Sequence, residues 1–374
     1  MKHAKTVLSG PTGWKRYLSP MTVHFKSCII TLLIITLITV FYIKLSKFNT
    51  TDPIPPLTSI NTEMIKQLGT FTVKVKLGLF IKNIPNFDIM KNSFVFDSIV
   101  WFEFNSDEIM LETVEKFSFD KGKILYRSPS DIKVSDNKVF AKYNVLFETK
   151  SDLNFHKFPF EDHRVAITLS NDFVTPSEMY FVVDTSSFQM APNILPTSWK
   201  LHELYVDTGF QNIILDKQDT SKKSESPKTI FVINVSKAGI KKILVIFVPL
   251  FAMVFFSFFS FFMNISNIVG KFSIAISAVT ALLGYRFVIE QMTPSVAYFT
   301  TTDEIYILLL IISLICFIFQ LILTRHFMIA KEQKPPLSPE EEATKAHILE
   351  KFNSFTFLMV TLLFISLTIY IILK

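Results

Sequence analysis

Ser273, Ser277, Thr280, Gly284, Phe287 and Gln291 follow one another at steps of four, three, four, three and four. That spacing places all six on one face of an α-helix. From Ser273 to Gly284 this face carries every hydroxyl of the segment together with the glycine, while Ile274, Ile276, Val279, Leu282 and Leu283 take the remaining surface. Hydroxyls along one side of an apolar helix suit an aqueous path in which ions keep part of their hydration. Taken alone, such a stripe favours a close helix interface, because small residues let membrane helices approach; the pore reading gains from the three stronger apolar spans that could shield the helix from lipid. Arg286 and Glu290 add an i, i+4 charge pair to the same stretch, in which Glu290 would favour cations and Arg286 would offset it. Little else in the chain offers chemistry. There is no Gly-rich phosphate loop, G-x-S-x-G elbow or H-E-x-x-H, and the seven histidines are scattered. His156 and His163 lie seven apart across a proline loop, which suits no common metal motif. The sequence therefore predicts no catalytic residue, no metal and no cofactor, and does not read as an enzyme.

The elements that must hold this stripe are membrane spans. Of the 374 residues 49% are hydrophobic, more than a single soluble core of this size buries. Five apolar runs approach the roughly 20 residues a bilayer requires, over residues 28–45, 243–263, 271–291, 304–324 and 354–373. The third holds the stripe and would make a poor lipid-facing helix. Lys2, Lys5, Lys15, Arg16 and Lys26 form a basic leader, residues 1–27, which places the N-terminus in the cytoplasm by the positive-inside rule. Alternation then puts residues 46–238 outside, with the channel-like helical part following from 239 to 374. Arg325, Lys331, Lys334, Lys345 and Lys351 fall in the last cytoplasmic segment, as that orientation requires. The first span reads as an uncleaved signal anchor, since YIKLSKFNT offers no small-x-small cleavage site, with a cleaved signal peptide as the alternative. Ser338, Pro339 and Glu341 form a helix-start pattern that predicts a solvated turn and short helix before the last span. Cys28 and Cys316 both sit in apolar runs, so no disulfide framework is expected. The net charge of +6 comes without any nucleic-acid-binding signature, so no nucleic-acid partner is expected.

Between Phe71 and Ser236, segments such as FTVKVKLGLFI, NSFVFDSIVWFEF, KVFAKYNVLFETK, HRVAITLS and KTIFVINV alternate apolar and polar residues and read as strands. Asn, Asp, Ser, Pro and Lys punctuate them, as in IPNFD and RSPSD. An all-β sandwich of about 160 residues is the expected architecture. Alone, it reads equally as a sensing domain or as a spacer. His163, beside Glu161 and Asp162, invites a pH-sensor reading because imidazole titrates near neutrality, but is expected as a surface histidine at a strand start.

Several of these stretches resemble the pentameric ligand-gated ion channels, particularly bacterial relatives that lack the disulfide of the animal Cys-loop receptors. DLNFHKFPFEDHRVAITL, residues 152–169, is similar to the family's Phe-Pro-Phe-Asp loop and following strand, with Glu161 at the Asp position. LGLFIKNIPNFDIMKNSFVFDSIVWFEF resembles its first two sandwich strands, joined by a bend at IPNFDI. Pro249 matches the proline of the first channel helix, and Lys237 stands where the family carries a pre-membrane arginine. Residues 271–298 resemble the pore helix and its outer linker, including Glu290 and Pro294.

The resemblance implies an all-β sandwich above a four-helix transmembrane bundle, with the first span as an additional helix. It implies a homopentamer in the bacterial inner membrane, the β domain in the periplasm or outside, with Ser273, Ser277, Thr280, Gly284, Phe287 and Gln291 lining a pore for monovalent ions. Arg286 and Glu290 would stand at the outer vestibule, and a dry gate would move outward to Phe287. Asp88, Phe158, Pro159, Phe160, Glu161, Lys237 and Pro294 would form the gating interface, with an ion pair from Glu161 to Lys237. A small-molecule or proton ligand would bind among aromatics, here Trp101, Phe173, Trp199, Tyr205 and Phe210. Self-association, membrane lipid, permeant ions and that ligand are the implied partners. The alternative is a non-conducting membrane sensor or binding protein.

Overall fold

A computed structural model describes residues 21–46, 48–59, 72–219, 221–332 and 339–374. The leader residues Lys2, Lys5, Lys15 and Arg16, and also Phe71, Lys334 and Ser338, lie outside them. The described residues fall into two compact units, a strand-rich one and a helical one, and His156–Phe160 belongs to the helical unit although Phe155 and Glu161 on either side belong to the other.

The strand-rich unit is built from β1 (Thr58–Ser59), β2 (Val73–Asp88), β3 (Ser93–Asn105), β4 (Ser118–Phe119), β5 (Gly122–Arg127), β6 (Asp131–Ser135), β7 (Lys138–Thr149), β8 (His163–Ser170), β9 (Met179–Val182), β10 (Phe188–Met190), β11 (Trp199–Ile214) and β12 (Lys223–Lys237). One sheet runs β1-β11-β12-β8-β4; the other runs β10-β2-β3-β7-β5, with β6 on β7 and β9 on β2. Alternation does the work on β3 and β7, where every second side chain is buried. On β12, Ser226 to Val235 is buried on both faces, because Leu57 and Tyr205 cover Ile230, Val232 and Ala166 from one side. Phenylalanine rings meet across the two sheets: Phe119 of β4 stacks on Phe147 of β7 at 3.8 Å, and Phe188 of β10 meets Phe231 of β12 at 5.1 Å. The Phe-rich composition thus serves as the core of this unit.

One turn assignment needs correction. IPNF is not a bend but part of β2, accommodated by register shifts against β3 around Asn83 and Asn86. The turn itself falls at residues 89–92, where Asn92 takes a positive φ of 50°. The proline fits because the shifted register spares the ladder at that point.

Five helices are long and apolar enough to cross a membrane: α1 (Val23–Leu45), α2 (Lys241–Phe259), α3 (Ile268–Met292), α4 (Thr301–Glu332) and α5 (Pro339–Leu373). They mark this as a membrane protein. Their ends differ from the apolar runs because capping, not hydropathy, sets helix limits. Asn267 caps α3 by accepting from Gly270 N, which starts that helix three residues early. The short helix expected before the last span is instead continuous with it, since EEEATKAHILEKFNS contains strong helix formers and no breaker, and the expected turn lies outside the described residues.

Candidate functional site

Helix α3 buries Lys271, Ala275, Ala278, Leu282 and Ile289 within the helical unit. All six residues of the hydroxyl stripe, Ser273, Ser277, Thr280, Gly284, Phe287 and Gln291, are exposed on the isolated chain, Phe287 at 70%. Ala275, Ala278 and Leu282 therefore make the intrachain contact, and the stripe takes no part in it. Pro249 fixes part of that packing. A proline cannot donate to the carbonyl four residues earlier, which here is Val245. The Tyr285 hydroxyl of α3 donates to that Val245 oxygen at 2.8 Å, so the side chain of one helix satisfies the gap in the other.

The two ends of α3 carry distinct electrostatics. At its C-terminal end Arg286 donates to Glu290 at 3.0 Å and to Asp303 of α4 at 2.6 Å, with Tyr306 beneath its guanidinium at 5.5 Å. One positive charge therefore answers two carboxylates, and Glu290 stays exposed. At its N-terminal end Lys271 is 1% exposed and turns into the helical unit toward Gln320 of α4 and Asn353 of α5, at 3.4 and 3.5 Å. Its ammonium is therefore directed away from the exposed stripe.

Beyond α3, Thr293 is extended (φ −93°, ψ 150°), as a residue before proline must be, and Pro294 is buried. Thr300 and Asp303 then form a reciprocal capping box at the start of α4: Thr300 N donates to Asp303 Oδ2 at 3.0 Å, and Asp303 N to Thr300 Oγ1 at 3.3 Å. The segment His156–Phe160 binds this same helix start. The His156 carbonyl accepts from Thr301 N at 2.9 Å, and the Phe158 carbonyl from Thr302 N at 3.2 Å. The His156 ring lies 3.9 Å from that of Tyr298, Lys242 sits over Phe158 at 4.8 Å, and Phe160 stacks on Phe247 at 5.4 Å. Phe158–Pro159 is a cis peptide. Orphan amides of α4 are thus met by loop carbonyls. His156, Phe247, Tyr298, Thr301 and Thr302 join the expected Phe158 and Phe160 here. Only TTTD, a capping pattern, hinted at them.

Asp88, Glu161 and Lys237 lie in the strand-rich unit. Asp88 accepts from Lys91 N at 3.0 Å in the β2–β3 turn. Lys237 donates through Nζ to the Glu161 carbonyl and through its backbone N to Asp162 Oδ1 at 3.1 Å. Beside them the sequence reading missed a buried centre. Asp52, whose carboxylate is inaccessible, accepts from Asn154 N at 2.6 Å and Arg164 N at 2.7 Å, and faces His163 Nδ1 at 3.1 Å. His163 is not a surface residue: it is 2% exposed, between Phe155 and Trp199, because the chain after α1 folds over the start of β8.

Burial pushes the His163 imidazole below its ordinary value, with Asp52 pulling it partly back. The folded unit then prefers the neutral ring, so its contribution is whole above the ordinary histidine pKa of about 6.5 and is lost as pH falls through the lowered folded value. We expect the thermal midpoint of the wild type to drop more steeply below about pH 6.5 than that of His163→Gln, followed by tryptophan fluorescence. Equal slopes would exclude His163 as the titrating group.

The five candidate ligand aromatics do not converge within one chain. Trp199 and Phe210 lie on the single strand β11, eleven residues and thus about 36 Å apart at roughly 3.3 Å per residue. Trp101 spreads over Gly78 of the adjacent strand, where a Cβ would come within 2.1 Å of the indole, and Phe140 flanks it at 5.6 Å. Phe173 is 72% exposed and already carries Lys116 at 5.3 Å, Tyr205 carries Arg164 at 5.9 Å, and Phe210 is buried. A cleft of about 430 Å³ between Phe104, Met110, Glu112, Ile132 and Val139 includes none of them. Among the described residues no group of three or more His, Cys, Asp or Glu side chains could hold a metal ion. No protein-family model matches the chain, and a search of curated proteins gives no match.

Proposed function

We propose that the chain is one subunit of a homopentameric ligand- or proton-gated ion channel, with the β unit as a sandwich outside the membrane and the N-terminus in the cytoplasm. The observation that carries this reading is the division of α3: one face packs on its own chain, and the exposed side includes Ser273, Ser277, Thr280 and Gly284 in line, then Phe287 and Gln291. A non-conducting sensor has no need of a continuous polar stripe, while a channel does. In a ring of five, α1, α2, α4 and α5 would shield α3 from lipid, and the series would line the pore.

The seat of His156–Phe160 on the first turn of α4 supports the gating half of the reading. The segment lies in the chain between β7, which ends at Thr149, and β8, which begins at His163, so movement of those strands would pull on the backbone bonds to Thr301 and Thr302. The α3–α4 linker, and with it the outer end of the pore helix, would follow. Arg286, Glu290 and Asp303 sum to one net negative charge per subunit at that end, which favours cations over anions.

Purified protein in planar bilayers under a salt gradient is expected to pass current reversing on the cation side, and Glu290→Gln to shift the reversal potential toward zero. Silence across a wide range of pH and small ligands, together with a native mass other than a pentamer's, would contradict the reading and favour a non-conducting sensor.

A further inference from the structure

We propose that α1 is a retained fifth helix of the gate, with Phe41 and Lys26 as positioning residues that couple it to the signature segment, His156–Phe160, and to the foot of the pore helix. This rests on the channel reading above. An anchor needs only an apolar surface, and α1 has more than that. Lys26, Ile30, Leu33, Leu37 and Val40 are buried at steps of four, three, four and three, a seam of the kind that packs one helix along another. Beyond the seam, each end of α1 makes a contact that anchoring does not call for.

At the C-terminal end Phe41 completes a cluster of rings. Its centroid lies 5.3 Å from Phe160 of the signature segment and 5.3 Å from Phe247, with Phe251 at 5.9 Å. Phe160 is 3% exposed and rests between Phe41 and Phe247. The signature segment therefore seats against α1 as well as α2 and α4. A shift of Phe160 would displace a ring on α1.

At the N-terminal end Lys26 stands among apolar neighbours, where a lysine is costly unless it reaches water or an acceptor. It does not reach water, being 6% exposed. Its ammonium donates to the Phe261 carbonyl at 2.8 Å, in the turn between α2 and α3. Asn353 Nδ2 of α5 donates to the same carbonyl at 3.0 Å, while Asn353 Oδ1 accepts at 3.5 Å from Lys271, in the first turn of α3, and from Gln320. Lys26, the Phe261 carbonyl, Asn353 and Lys271 thus form a polar node joining α1 to the foot of α3. Such a buried network holds a defined arrangement only while every member is present. One helix is therefore bonded at both ends of the pathway along which the signature segment would act on the pore.

The test compares wild type with Phe41→Ala, Lys26→Met and Leu37→Ala, the last a seam position with no ring contact to the signature segment and no part in the node. Intact mass of membrane-purified protein should include α1. Bilayer open probability, at rest and across proton steps between about pH 7.5 and about pH 4.5, on either side of the histidine range, should shift at least about fivefold in Phe41→Ala and Lys26→Met, the lower end of typical coupling between sites. Leu37→Ala should lower the melting temperature and leave open probability unchanged. A mature protein lacking α1, or variants that change melting alone, would overturn the inference while leaving the channel standing. A wild type silent across that pH range and small ligands, with a native mass other than a pentamer's, would overturn both.

Discussion

Thr280→Arg is expected to abolish cation current without preventing assembly. Thr280 is exposed midway along the stripe, and its hydroxyl is spent on the Ile276 carbonyl at 3.0 Å, so the side chain has no partner on another helix to lose. In a ring of five the substitution sets five guanidinium groups around one permeating cation. Each unit charge about 4 Å away opposes it by about 1 kcal/mol in bulk water and about 4 kcal/mol at an effective dielectric near 20. Even the lower figure sums to about 5 kcal/mol, which at about 1.4 kcal/mol per decade is more than about a thousandfold. Single-channel recording on variant protein of unchanged native mass reads this directly. Undiminished current would mean that Thr280 faces away from the ion path.

Asp52→Ala should cost the strand-rich unit about 3–5 kcal/mol. The carboxylate is wholly buried and answers two backbone amides and one imidazole. Truncation leaves those donors in a space that water does not reach, at about 1–3 kcal/mol for each unsatisfied group. Loss of one partner from a buried charged cluster typically costs that total. For a unit of this size each kcal/mol lowers the midpoint by roughly 2–4 °C, so a drop of roughly 6–20 °C is expected. Asp52→Asn keeps an acceptor and should lose less. Trp199, 5.7 Å from His163, reports the transition by its fluorescence. A change below about 1 kcal/mol would show that the cluster is not the closed one described.

The stripe and the spans were legible because they depend on local periodicity, and a helix of period 3.6 imposes the same spacing wherever it packs. Ser273 to Gln291 could be placed on one face from the sequence, and that face is the exposed one. The strands were legible on β3 and β7 for the same reason. Asp52 was not: it lies in a stretch that reads as a linker, and its partners are more than a hundred residues away. Lys26 looked like part of a basic leader, since nothing local distinguishes a lysine that reaches solvent from one that finds a carbonyl across 235 positions. His163 was misplaced for a related reason, because the segment that buries it comes from the far end of the sheet's chain order. The contact of His156 and Phe158 with α4 runs through backbone carbonyls, which every residue carries and no residue type announces. Only the Thr300–Asp303 box left a trace, as a Thr-x-x-acid pattern at a helix start.

Cysteine accessibility along α3 tests the central claim most directly. In a Cys28→Ser background, cysteines placed singly at Ser273, Ser277, Thr280 and Gly284 should react with a water-soluble methanethiosulfonate and block the current. Cysteines at Ala275, Ala278 and Leu282, on the buried face, should neither react nor change it. Block that follows the four-and-three spacing of the stripe is the result this account predicts. Reaction at the buried-face positions with none along the stripe would contradict it.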